Sequence, residues 1–193
     1  MVANTRKTEK ARLSADDWAL AALDVIAEQG LAAVAVEPLA RRLGVTKGSF
    51  YWHFPSREAL LVAALERWEA IEQEAVFGKL EAISDPRLRL RDLFQLVAHE
   101  LRPHVVYSEL LKALDHPVVK PVLRRVSQRR LDYLTASFRQ AGLGRMDAQN
   151  RARLAYAAYV GFLQLSLQLE QPRLQHDEFE AYVSHVINTL IPD

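Results

Sequence analysis

The feature that most constrains this chain is the recurrence of apolar residues three and four apart, punctuated by helix starts and stops. "LSADDWALAALDVIAEQG" carries the full signal. Trp18, Ala21, Ala22, Val25 and Ile26 follow the stripe of an amphipathic helix. Ser14 stands at the N-cap with Asp17 in the third helical position, a capping box with Asp in place of Glu. Gly30 supplies the stop, because glycine closes a helix end without a Cβ penalty.

The same punctuation continues. "VEPLARRLG" predicts a short helix with Pro38 in its first turn and Gly44 at its end. Thr46 reads as the N-cap of a second short helix running to about Phe54. Pro55 breaks the chain, and Ser56 caps a long helix that reaches about Phe77. Asp85 caps the next, with Pro86 at its first position, and a short helix lies between Pro103 and Pro117. A long helix stops at Gly142, with Pro121 placing its start in question. Asp147 is expected to cap the eighth helix, and the last one to start at Asp177 and end before Pro192. Alternation appears only in "AAVAVEP" and "LQLSLQLE", and the second continues an unbroken helical pattern, so its length favours helix. The expectation is an all-α protein of about nine helices.

Composition narrows the classes. The chain has 193 residues, 50% apolar and 25% charged, enough for one large domain or two small ones. There is no cysteine, hence no disulfide framework and no thiolate chemistry, which suits the cytoplasm. The N-terminus lacks the apolar stretch of a secretory signal. No run approaches the ~18 apolar residues of a membrane span, so no membrane partner is expected. Net charge is only +1, but residues 1–57 hold eight basic against six acidic groups. The N-terminal arm concentrates Arg6, Lys7, Lys10 and Arg12 against Glu9, a distribution that fits a local phosphate contact or a solvated tail.

"GVTKGSFYWHF" crowds aromatic and polar groups into one short stretch. On a helix Phe50 and Phe54 share a face, which points to the core with Leu39, Leu43, Val25 and Ile26. Gly48 and Trp52 then fall opposite, at about 160° and 200° from Phe50. Ser49 and Tyr51 flank that outer face, with Lys47 and His53 near its edges. Thr46 and the first-turn N–H groups add an anion-binding helix start. Gly48 is worse than Ala in a helix by about 1 kcal/mol, a sacrifice that suits close approach of another backbone. Two short helices about a tight turn at Gly44-Val45 form a helix-turn-helix whose second helix would enter a major groove. Tyr51 and the main chain at the helix start would hold phosphates, while Ser49 and Trp52 would reach base edges. A packed aromatic cluster or a protein-docking face is the other reading of Trp52.

These residues carry a resemblance. The stretch from Ala19 to Glu66 resembles the DNA-binding domain of the TetR/AcrR family of one-component transcriptional regulators. The resemblance rests on Gly30-Leu31, Leu39-Ala40, Leu43-Gly44-Val45, Thr46-Lys47-Gly48, Tyr51-x-His53-Phe54 and Pro55-Ser56-Arg57-Glu58 with Leu60. It implies that Arg57, standing where Lys is usual, reaches a phosphate. Ala35 departs from the family's Thr or Ser at the start of the second helix and cannot cap it.

The resemblance also implies an all-α homodimer. Residues 1–57 would form the arm and DNA-binding head, and residues 58–193 a ligand-binding and dimerisation domain. The dimer would form through the last two long helices, where Ala155, Ala158, Phe162 and Leu165 follow one stripe. Phe179, Val183, Val186, Ile187 and Leu190 follow another. The expected effector cavity mixes aromatic and polar residues: Trp68, Phe94, His99, Tyr107, Leu111, Tyr133, Phe138, Tyr156, Tyr159 and Gln164.

No enzyme signature is present. In "HELRPH" the two histidines are five apart, off a shared helical face, with Pro103 between. No nucleophile elbow or phosphate loop occurs. No catalytic residue, cofactor or metal ligand set is expected. The reading is a repressor released from a palindromic double-stranded DNA operator by a small, largely apolar effector. An activator of the same family, or a helical protein-interaction module, remains the alternative.

Overall fold

The computed structural model describes residues 13–99 and 101–191, which hold nine α-helices and no strand. The basic arm at Arg6, Lys7, Lys10 and Arg12 lies outside the described residues. Helix α1 (Ala15–Gln29) opens with the expected capping box. Asp17 accepts from the Ser14 backbone N–H at 2.7 Å, and Ser14 Oγ accepts from the Asp17 N–H at 3.2 Å. A single 3₁₀ turn, Leu31–Ala33, leads to α2 (Val36–Leu43), so the "AAVAVEP" alternation is a turn, a two-residue link and the start of α2. Ala35 occupies the N-cap of α2 with no side-chain bond.

Gly44 ends α2 in the left-handed conformation, φ 67° and ψ 34°. That reversal points the chain into α3 (Lys47–Tyr51). The expected helix to Phe54 is shorter, because the backbone tightens into turns that return the His53 and Phe54 N–H groups to the Phe50 carbonyl. Ser56 Oγ then caps α4 (Arg57–Glu72), which runs on through a π-helical stretch, Gln73–Phe77, and a last turn, Gly78–Leu80.

The body continues with α5 (Pro86–His99), α6 (Leu101–Leu111), α7 (Val119–Gln140), α8 (Arg145–Leu169) and α9 (His176–Leu190). Asp85 caps α5 as expected, accepting from the Arg87 N–H at 2.8 Å. Pro121 falls in the first turn of α7, where its missing N–H removes no helical bond. Two caps differ from expectation. Helix α8 begins at Arg145 with Gly144 as N-cap, leaving Asp147 in the first turn. Helix α9 begins at His176, and Gln175 forms the capping box with Glu178. "LQLSLQLE" is helical to Leu169.

Two apolar cores hold these helices. The first joins the head to the body: Trp18, Ile26, Leu39 and Phe50 pack in one cluster with Leu61, Leu65, Trp68, Tyr107 and Val126. Residue 57 therefore marks a turn on the chain and not a gap in the packing. The second core joins α5, α7, α8 and α9 through Leu90, Leu93, Leu134, Phe138, Ala152, Val183 and Ile187. Helix α8 serves both.

Candidate nucleic-acid interface and effector cavity

Helix α3 is two-faced. Phe50 is wholly buried, edge-on to Trp18 at 5.4 Å and tilted against Phe54 at 5.7 Å. Trp52 is 80% exposed and Tyr51 55% exposed, large aromatic surfaces that folding alone would hide. Tyr51 leans edge-on against Phe50 at 5.2 Å, which orients its ring while leaving the rest outside. Thr46, Lys47 and Gly48 are exposed beside them, with Ser49 and His53 half-buried. A Cβ on Gly48 would meet only Thr46 Oγ1, at 3.7 Å, so the fold does not demand glycine there. Thr46 sits at the N-cap but its hydroxyl makes no capping bond.

The ionic setting departs from the sequence reading at two residues. Lys47 Nζ donates to Glu37 Oε1 of α2 at 2.8 Å, and this contact holds the Glu37 carboxyl below its ordinary value. Arg57, expected at a phosphate, turns inward. Its Nε donates to the Val34 carbonyl at 2.6 Å and its Nη2 to the Leu31 carbonyl at 3.1 Å. It ties down the loop between α1 and α2. Arg42 makes a bidentate bond to Glu28, at 2.6 and 2.7 Å, and fixes α2 on α1.

The body contains two adjoining cavities of about 80 and 170 Å³. Phe94, Tyr133, Tyr156 and Tyr159, expected there, line the inner one, and Phe94 and Tyr159 also line the outer one. The other expected cavity residues do different work. Trp68 is buried, stacked on Tyr107 at 6.1 Å, with Nε1–H donating to the Pro103 carbonyl at 3.4 Å. Tyr107 is buried and shares a 2.6 Å hydrogen bond with the Tyr156 hydroxyl; burial first, then that bond, pushes its pKa up to about 12. Leu111 packs against the first core and Phe138 sits within the second. Gln164 donates to Ser108 Oγ at 3.1 Å. His99 lies at the surface, bonded to Glu180 of α9 at 2.8 Å.

Sequence reasoning missed the charged floor of the inner cavity. Glu72, His104 and Arg130 line it, and Glu72 is 5% exposed. Arg130 Nε and Nη2 both donate to Glu72 Oε1, at 2.6 and 2.5 Å. Burial opposes the Arg130 charge, but the Glu72 carboxylate and the nearby tyrosines outweigh it and raise its pKa. His104 Nδ1 and the Tyr159 hydroxyl lie 2.6 Å apart, a hydrogen bond at the junction of the two cavities. Nothing local marks Arg130; it stands in "RRVSQRR" among three other arginines.

The expected dimer residues divide by face. Ala155, Val183, Ile187 and Leu190 are buried in the subunit's own second core. Ala158, Phe162, Phe179 and Val186 line the outer cavity. Of that set Leu165 is an exposed large apolar residue, and it shares the outer side of α8 with Leu154, Gly161 and Leu169. The stripe read along α8 thus spans an inner and an outer side, because α8 is apolar on both.

A short outward-facing helix after a left-handed glycine turn, set on a helical body with an internal cavity, defines a helix-turn-helix regulator-type fold. The family profile "Bacterial regulatory proteins, tetR family" matches residues 20–64. The regulator EthR of Mycobacterium tuberculosis is 38% identical over 66 residues, covering 32% of this chain and 31% of EthR. The match thus spans about a third of that relative's length. The regulator BetI of Klebsiella pneumoniae is 27% identical over 181 residues, covering 90% of this chain and 91% of BetI. A transcriptional regulator from Saccharomonospora viridis, solved in complex with choline, superposes with a TM-score of 0.80 at 21% identity. That superposition covers 93% of this chain and 97% of the other. Residues 20–64 thus match the DNA-binding region of the TetR family, and the chain as a whole shares the fold of solved TetR-family regulators.

Proposed function

We propose that this protein is a homodimeric transcriptional repressor of the cytoplasm that grips a near-palindromic operator through α3 and releases it on binding a small effector. Residues 1–57 would contact DNA, and residues 58–193 would hold the effector and the second subunit. One observation carries the reading: α3 turns Phe50 wholly inward and Trp52, at 80% exposure, wholly outward. Tyr51, Ser49 and the bare backbone at Gly48 surround Trp52, and together they make a surface shaped for a duplex. Lys47 would exchange its Glu37 partner for a phosphate, with Arg57 positioning the head from behind. The choline complex of the Saccharomonospora viridis neighbour supports a ligand cavity in a body of this fold.

The dimer would form on the outer side of α8, at Leu154, Gly161, Leu165 and Leu169. A Cβ on Gly161 meets nothing within 4 Å in the subunit, so its small size serves whatever approaches from outside. Two recognition helices in such a dimer address half-sites about 34–36 Å apart. The test is a fluorescence anisotropy titration with sheared genomic DNA at two salt concentrations. Binding should weaken steeply with salt, by a log–log slope of about −0.9 per phosphate contacted. Tyr51→Ala should abolish binding with the fold intact. Absence of DNA binding at low salt ends the proposal.

A further inference from the structure

The two cavities share Phe94, Val97, His104, Ala155 and Tyr159, so they are compartments of one chamber. They differ in charge. The inner one meets Glu72 and Arg130; the outer one, under Phe162, Phe179 and Tyr182, meets neither. A ligand filling both has one end against an ion pair and the rest against hydrocarbon and aromatic rings.

The ion pair decides which end. Both donors on one edge of the Arg130 guanidinium go to Glu72 Oε1, while Nη1 on the other edge is buried with no hydrogen-bond partner. A buried cationic donor without an acceptor is a standing demand for one. Glu72 Oε2 also lacks a hydrogen bond, but Arg129 Nη2 faces it at 3.7 Å, so its charge is answered. Around the pair, the carboxylates Glu69 and Glu72 meet the guanidiniums of Arg125, Arg129 and Arg130. The three tyrosine rings nearest the ion pair are taken as well. The guanidinium carbon of Arg130 lies 4.4 Å from the Tyr107 centroid, 5.6 Å from Tyr159 and 6.0 Å from Tyr156. A quaternary ammonium or amine entering the inner compartment would find these three π surfaces already occupied by a fixed cation, which repels it.

We propose that the effector is an amphiphilic organic anion: a carboxylate that accepts from Arg130 Nη1 in the inner compartment, with an aryl or alkyl tail passing Phe94 and Val97 into the outer one. This rests on the effector reading above and names its chemical class. The His104–Tyr159 hydrogen bond lies where the tail must pass, so the tail is thin at that point or rotates Tyr159 aside.

The test is isothermal titration calorimetry of the full chain with 4-phenylbutanoate, 4-phenylbutanamide and 4-phenylbutylamine, compounds of one shape and three charges. The acid should bind roughly tenfold or more tighter than the amide or the amine, the worth of one charge-assisted hydrogen bond. Glu72→Gln should tighten the acid further, because it removes the carboxylate that competes for Arg130. Arg130→Gln should erase the preference for acid over amide. If that variant does not fold, the double variant Glu72→Gln with Arg130→Gln, which buries no unpaired charge, takes its place. An amine that binds best, equal binding of all three, no binding by any, or an acid weakened by Glu72→Gln overturns the proposal. DNA affinity of the ligand-free protein is measured separately. Acid preference without DNA binding refutes the repressor reading alone, and DNA binding without acid preference refutes this inference alone.

Discussion

Trp18 and Phe50 meet edge to face, ring centroids 5.4 Å apart at 73°, and neither is exposed at all. This contact locks the second helix of the helix-turn-helix onto α1, and so sets the direction in which Trp52 points. Phe50→Ala should destabilise the protein by about 3–5 kcal/mol, the usual result of emptying a buried ring site. Trp52→Ala should change stability by no more than about 0.5 kcal/mol, because its side chain is in solvent. Urea denaturation midpoints compare the two. DNA affinity should fall for Trp52→Ala despite its unchanged midpoint.

Gly48 separates fold from function in a single substitution. The added Cβ has room beside Thr46, and alanine is the better helix former. Gly48→Ala should therefore raise stability by up to about 1 kcal/mol while weakening DNA binding. A variant that melts higher and binds DNA as well as the parent would show that no backbone approaches there.

His99 joins α5 to α9. Its Nδ1–H donates to the Gln95 carbonyl at 2.7 Å, and its Nε2–H to Glu180 at 2.8 Å. The backbone bond first, then Glu180, favour the imidazolium and raise the pKa above the ordinary 6.5. A group with a raised folded pKa stabilises fully below its unfolded value, and the benefit disappears as pH rises through the folded value. The advantage in thermal midpoint of the parent over His99→Ala should thus be largest in mild acid and shrink as pH rises past 6.5. An advantage that grows with pH would mean the contact does not hold in solution.

The exposed side of α8 predicts the effect of charge on assembly. Leu165 is 46% exposed and Leu169 64% exposed, with Gly161 one turn before Leu165. Leu165→Glu should convert the dimer to monomer in sedimentation velocity, with helical content unchanged by circular dichroism. Gly161→Leu should do the same by steric exclusion. Dimers that persist in both variants would place the interface elsewhere.

Much of this was legible in residue order. Ser14 with Asp17, Gly30, Gly44 and Ser56 act on backbone groups one turn away, so their roles needed no partner from elsewhere in the chain. The same holds for Phe50 and Trp52, whose opposite faces follow from two residues of helical rotation. Arg57 was misread because its acceptors, the Leu31 and Val34 carbonyls, lie over twenty residues earlier. Glu72 and Arg130 went unseen for the same reason, since an ion pair between α4 and α7 leaves no mark in either segment.

Sequence by itself determined where α1, α2, α4 and α5 start, where α1 and α2 stop, and which short segment carries an aromatic outer face. These are local matters of capping, period and backbone freedom. Tertiary structure alone decided which side of α8 meets its own subunit. Ala155 and Leu163 point inward, while Leu154 and Leu165 point out, and a helix apolar on both sides gives no preference until its neighbours pack against one. It also decided which of several arginines is buried, because the expense of desolvating a guanidinium is met only where Glu72 and three tyrosine rings converge.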